Sequence, residues 1–261
     1  MSRFIDRIKK ASQVAPKPMG FGVAKSASEK PRMLLVVTLS PLAVSGLADF
    51  VVGADAGLLR AGKLSPAVKA IKEASQAMPD IPWGGWLKEI AKQGLKQLAS
   101  AGCDFVVFAA ANAPLTMLKN DGVGKILEID ASLSEGLLRT IESLPVDAVF
   151  VAEREGERSL SWHHLMLFQY FSEVTARPLL VTVPADVTGD ELVALWEAGV
   201  VGVVVGVSAE KPAGEIKSLR ETIDKLAFPP RRKRRKVEPL LPYISGAGAI
   251  EEEEEEEEEG E

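Results

Sequence analysis

A chain of 261 residues, 46% of them hydrophobic, is long enough for one large domain or two small ones and can bury a sizeable core. Its one cysteine, Cys103, excludes an internal disulfide framework, and with only two histidines the chain has too few soft ligands for a structural zinc site. The net charge of −6 belongs to the tail, where a basic block, Arg231–Lys236, is followed by Glu251–Glu259 and Glu261; the rest is close to neutral and has no field for gathering nucleic acid.

In chain order, Ser2–Ser12 reads as a short amphipathic helix with Phe4, Ile5 and Ile8 on one side. The stretch MSRFIDRIKKASQ lacks the apolar core and cleavage site of a secretory signal, which with the single cysteine points to the cytoplasm. A proline-bearing connector follows and contains MGFGV (19–23), a strand candidate expected beneath or beside the main fold. The apolar stretch Met33–Val52 tempts a membrane reading. Pro41, Asp49 and a strand, helix, strand pattern argue against one, so no membrane partner is expected.

Valine-rich apolar runs then recur as MLLVVTL (33–39), DFVVGA (49–54), IPWGGW (81–86), DFVVFAA (104–110), GKILEI (124–129), DAVFVA (147–152), PLLVTV (178–183) and VGVVVGV (201–207). IPWGGW counts as a strand despite its glycines, because without it roughly 50 residues would separate two strands. Helical patterns fill the intervals, with Ser65, Ser132 and Thr188 as expected starts and Gly102 and Gly199 as ends. Continuous apolar runs are the mark of a parallel sheet buried on both faces. Eight strand–helix units in about 200 residues predict an α/β fold, a (β/α)8 TIM barrel at 33–228. The N-terminal helix and connector occupy 1–32, and 229–261 form a disordered, basic-then-acidic tail. An open doubly wound sheet is the alternative, but AGEIKSLRETIDKLA supplies the last helix a closed barrel needs.

In such barrels chemistry sits at the C-terminal ends of the strands. Those ends give Thr38 and Ser40, Asp55, Trp86, Asn112, Asp130, Glu153 and Arg154, Asp186, then Ser208 and Lys211. Asp55, Asn112, Asp130 and Glu153 are the candidate catalytic groups; the three carboxylates, Asp55, Asp130 and Glu153, would shift one another's pKa if they converge, or could hold magnesium, though no spacing motif ties them together. Gly206, Ser208, Lys211 and Arg154 are the candidate anion-binding groups. The WGGW stretch reads as packing first and as a flat ligand surface second. His163 and His164, adjacent on a helix, point about 100° apart and read as surface or packing residues. Cys103 and Lys125 begin strands and fall at the bottom of the barrel, with Cys103 a buried small hydrophobe. No lysine lies on the sixth strand, which lowers the rank of Schiff-base chemistry.

The segment Pro178–Ala209 carries Glu197-Ala198-Gly199 before Val203–Gly206, with Ser208 just beyond. It resembles the last quarter of the phosphate-binding TIM barrels, a group spanning flavin-mononucleotide oxidoreductases and the aldolase-type enzymes of tryptophan and thiamin synthesis. The resemblance implies a phosphorylated small molecule or flavin mononucleotide (FMN) at the mouth, and oxidoreductase or lyase chemistry. It also implies a phosphate held by backbone amides after the last two strands. One departure stands out: the glycines expected after the seventh strand are replaced by Val183-Pro184-Ala185-Asp186, and proline has no amide to donate. This leaves a second expectation open, a catalytically degenerate barrel that meets a protein partner through its tail. PRRKRRKVE has the form of an import signal, but the polyglutamate can mask it, and no aromatics are interleaved for a nucleic-acid site.

Overall fold

The computed structural model describes residues 2–12, 32–40, 50–90, 93–119, 122–152, 159–207 and 214–229. Eight parallel strands close in sequence order into a barrel: β1 (Leu34–Leu39), β2 (Ala56–Ala61), β3 (Trp83–Leu87), β4 (Phe105–Ala109), β5 (Gly124–Ile129), β6 (Ala148–Val151), β7 (Leu179–Val183) and β8 (Val200–Gly206). The described helices are α1 (Arg3–Ser12), α2 (Leu64–Ala77), α3 (Gly94–Ser100), α4 (Glu135–Thr140), α5 (Trp162–Val174), α6 (Gly189–Glu197) and α7 (Gly214–Lys225). None is long and apolar enough to cross a membrane. MGFGV and the charged blocks of the tail lie outside the described residues.

Alternation along each strand sorts the core into two shells. Outward residues such as Leu35, Val37, Val106, Leu127, Val181 and Val203 pack against the helices. Inward residues such as Leu34, Val36, Leu58, Val107, Ile126, Phe150 and Val204 fill the barrel. The glycines of β3 belong to this packing: a Cβ on Gly84 would collide with the Phe105 ring, and one on Gly85 would press on Ile71 Cδ1 at 3.3 Å. Trp83 is buried against the outer shell. The WGGW stretch is therefore a strand shaped by its neighbours' rings.

One strand lies elsewhere than expected. DFVVGA (49–54) is not β2; of its described residues Phe50 is helical in backbone, Val52 is 48% exposed, and Gly53 turns the chain at φ +90°. The second strand is AGLLRA, six residues without a β-branched side chain. It is held by pairing with β1 and β3 on its two sides, which overrides its poor strand propensity. This shift places Asp55 before β2, at the N-terminal end of the barrel.

The bottom of the barrel is stoppered by α1. Phe4, Ile5 and Ile8 are buried among the inward residues, and the Phe4 and Phe105 rings lie 4.5 Å apart. Asp104, just before β4, anchors the helix start by accepting from Ser2 Oγ (2.8 Å), Arg3 N (2.8 Å) and Phe4 N (2.9 Å). Gly124 leaves the space into which Ile5 fits. Thr188 caps α6 as expected, in a reciprocal box with Glu191. At α4 the cap is Ser134 rather than Ser132, and Ser65 lies inside α2, which starts without a side-chain cap.

Cys103 sits at this same end, 6% exposed, with its thiol against the Phe105 carbonyl. Burial pushes its pKa up to about 12. Between the ordinary thiol value and that figure the unfolded chain gives up the proton and the folded chain keeps it, so this group lowers stability as pH rises through the window. Iodoacetamide at mildly alkaline pH is expected to leave native Cys103 unmodified while it alkylates the urea-unfolded chain. Rapid labelling of the native protein would show that this end is open.

Candidate functional site

At the C-terminal end of the barrel the alternation brings Thr38 of β1, Arg60 of β2, Trp86 of β3, Glu128 of β5, Thr182 of β7 and Gly206 of β8 to the inner rim. Three of them are tied together. The Arg60 guanidinium lies 4.3 Å from the centre of the Trp86 ring, and Trp86 Nε1 donates to Glu128 Oε2 at 2.9 Å. Phe150 meets the same indole edge-on, with centroids 5.1 Å apart. Trp86 is thus fixed from three sides and only 8% exposed.

On the opposite arc, β7, β8 and β1 are adjacent, with Thr182 beside Val204 and Thr38 beside Gly206. The Oγ1 atoms of Thr38 and Thr182 are both buried and, among the described residues, have no hydrogen-bond partner. Gly206 between them is exposed, and a Cβ there would meet only Thr38 Cγ2, at 3.8 Å. Val207 N is already committed to the Thr38 carbonyl at 3.0 Å. Beyond β7, Pro184 offers no amide, and Asp186 is exposed.

Two hollows flank this rim. A cavity of about 80 Å³ lies above β5–β7 against α5, walled in part by Asp130, His163, His164, Phe168, Thr182 and Pro184. A wider groove of about 640 Å³ crosses the ends of β2–β4, with Lys63, Glu89, Ile90 and Asn112 among its walls.

Of the expected catalytic groups, Asp130 stands at the mouth, exposed and in the wall of the small cavity, with Oδ1 accepting from Ser132 N at 2.6 Å. Asn112 lines the other groove, on a short 3-10 turn, so the fold does not bring it to Asp130. Asp55 must be corrected. It faces the bottom, where Oδ2 accepts from Leu35 N (2.9 Å) and Arg220 Nη1 (3.1 Å), and so cannot join the other carboxylates around a ligand or magnesium ion. Among the described residues no three acidic, histidine or cysteine side chains are grouped to hold a metal. Gly206 is at the mouth, as expected. Glu153, Arg154, Ser208 and Lys211 lie outside the described residues.

Arg60 and Glu128 escaped the sequence reading. Arg60 belongs to the strand that was placed too early. Glu128 carried a usable signal, being the one acid inside GKILEI and in phase with inward Gly124 and Ile126. His164 completes the cap of α5 with Ser161 and stacks on Phe168, the packing role anticipated for it.

Scanned against known protein families and against curated proteins, the chain matches none. Solved structures do match it. One is a mutant tryptophan synthase alpha-subunit from Pyrococcus furiosus, with TM-score 0.58, 15% identity, and 75% of this chain covering 98% of that one. Another is thiamine phosphate pyrophosphorylase from Pyrococcus furiosus, with TM-score 0.55, 14% identity, and 74% covering 95%. A third is Mycobacterium tuberculosis tryptophan synthase, with TM-score 0.57, 14% identity, and 74% covering 91%. At such identities the likeness is one of fold.

Proposed function

We propose that this barrel binds a compact phosphorylated small molecule at its C-terminal mouth, with the phosphate on the arc β7–β8–β1. The observation that carries the reading is the pair of buried hydroxyls on Thr38 and Thr182, unpartnered among the described residues, on the two strands that flank β8 and its bare Gly206. A buried hydroxyl without a partner costs about 1–3 kcal/mol, so two of them at one arc of the rim suit a ligand that accepts their hydrogen bonds. In this reading Thr182 supplies on the β7 side a donor that Pro184 cannot. Ser208 and Lys211 follow Gly206 closely enough in sequence to add an amide, a hydroxyl and a charge, with Arg154 as a further cation. The likeness in fold to proteins named for tryptophan synthesis and thiamine phosphate supports a phosphorylated ligand by analogy alone.

Asp130 shares a cavity wall with Thr182 and Glu128 lies on the inner rim, and we assign these two carboxylates the acid/base work of a lyase-type step, the protons moving between carboxylate and substrate. FMN fits these residues less well. Its three fused rings need a slot, whereas the cavity beside Thr182 is about 80 Å³ and the inner rim is filled by Trp86 and Phe150. No flavin step is assigned.

The test is thermal stabilisation by inorganic phosphate and glycerol 3-phosphate. Wild type is expected to gain several degrees at saturating ligand, and Thr38→Val with Thr182→Val to lose that gain while remaining folded. A wild-type protein indifferent to both compounds would remove the reading. A yellow protein as purified would restore the flavin. The alternative, a degenerate barrel serving as a scaffold, is favoured by Pro184 and Asp186 where a phosphate cradle needs amides. It assigns the protein contact to residues 229–261, and unchanged partner recovery after their deletion counts against it.

A further inference from the structure

We infer that Arg60 is a second, preset anion receptor in the same mouth, and that the ligand carries a carboxylate as well as its phosphate. This rests on the reading of the mouth as a ligand site and extends it to the far end of the ligand. Arg60 is exposed at the inner rim, yet among the described residues neither a carboxylate nor a carbonyl accepts from it. The other arginines among the described residues are engaged, as Arg220 is with Asp55 and Asp224, Arg139 with Glu135, Arg177 with two backbone carbonyls and Arg32 with Asp55. What Arg60 has instead is a platform. The guanidinium lies over an indole that Glu128 and Phe150 hold in place, so its plane is set while its N–H donors remain unspent. A planar fork of donors fixed in this way matches the two oxygens of a carboxylate.

The spacing agrees. Gly206 pairs with Thr38, and Thr38 with Leu58, so Arg60 lies two strands across and one pleat above the phosphate arc. Sheet geometry puts the two Cα atoms roughly 12 Å apart. A gap of that order is comparable with the length of a small phosphorylated acid. Glu128, whose Oε1 accepts no hydrogen bond among the described residues, holds the indole through Oε2 and keeps that second oxygen for the acid/base role assigned to it above.

The experiment compares two probes that differ in one group, 3-phosphoglycerate and glycerol 3-phosphate, with succinate as the carboxylate alone. Wild type is expected to bind 3-phosphoglycerate roughly tenfold or more tightly than glycerol 3-phosphate, as a charge-assisted pair implies. Arg60→Met should bind the two equally, and Arg60→Lys should regain only part of the preference. Each variant is referred to its own ligand-free melting temperature, so lost packing on Trp86 does not mimic lost binding. A wild type without the preference, or an Arg60→Met variant that keeps it, overturns the inference while glycerol 3-phosphate binding leaves the phosphate site standing. Should glycerol 3-phosphate be inert while succinate stabilises wild type and not Arg60→Met, the phosphate reading falls and the Arg60 receptor stands.

Discussion

Asp55→Ala is expected to lower the unfolding free energy by about 3–5 kcal/mol, the cost of breaking a buried ion pair, and to leave phosphate-ligand binding unchanged. The carboxylate ties the start of β2 to the start of β1 and to α7, pieces of chain that are distant in sequence. Leu35 N donates to it from β1, Arg220 Nη1 from α7, and Arg32 Nη2 at 3.3 Å from the segment before β1. The side chains of Arg220 and Asp55 are 7% and 13% exposed, so removing the acid leaves a guanidinium that water reaches poorly with the half-exposed Asp224 as its remaining carboxylate partner among the described residues. The Arg32 contact is half-exposed and adds little. Urea denaturation measures the loss, and thermal shifts with glycerol 3-phosphate measure the binding. An unchanged midpoint would discard the buried pair as a stabiliser, and lost binding with an intact fold would return Asp55 to the mouth. Replacing both partners, Asp55→Ala with Arg220→Met, should recover part of the loss, because no charge is then left buried alone.

The second large effect belongs to the stopper. Phe4→Ala is expected to cost about 3–5 kcal/mol, the range for a buried phenyl truncated in a core that cannot close around the gap. Phe4 is fully buried and packs on Phe105, which in turn fills the space left by Gly84. The ring is thus one of a chain of contacts that runs from α1 through β4 to β3. Arg3→Ala is the control on the same helix turn: its side chain is exposed and donates only to the Pro79 carbonyl, so its loss should be small. If Phe4→Ala and Arg3→Ala shift the denaturation midpoint equally, α1 does not seal the barrel. Removal of α1 altogether would bare the inward residues Leu34, Ala56 and Ile126, and aggregation of that variant is the expected outcome.

Seven of the eight strands can be read from the chain because most of their runs are rich in valine and apolar on both faces, as a sheet buried on both sides requires. β2 could not be read this way. AGLLRA has poor strand propensity, and DFVVGA, the better strand by composition, is turned out of the sheet at Gly53 and Arg220. That one misplacement decided the reading of the site, because it put Asp55 at the mouth and hid Arg60. Thr38, Trp86, Asp130 and Gly206 were legible as strand ends.

What the chain determines by itself is local: eight apolar staves with helices between them, an amphipathic first helix, a nearly neutral body, a charged tail. These follow from periodicity and composition, which each segment carries without reference to any other. What only the tertiary structure decided is which end of the barrel a residue faces and what it meets there. The stacking of Arg60 on Trp86, the bond from Trp86 to Glu128, the unpartnered hydroxyls of Thr38 and Thr182, and the bottom pair of Asp55 with Arg220 join residues 26 to 165 positions apart or set by closure of the sheet. Strand register, fixed by hydrogen bonds between neighbours and by the need to fill one enclosed interior, selects such partners, and no single segment contains that information.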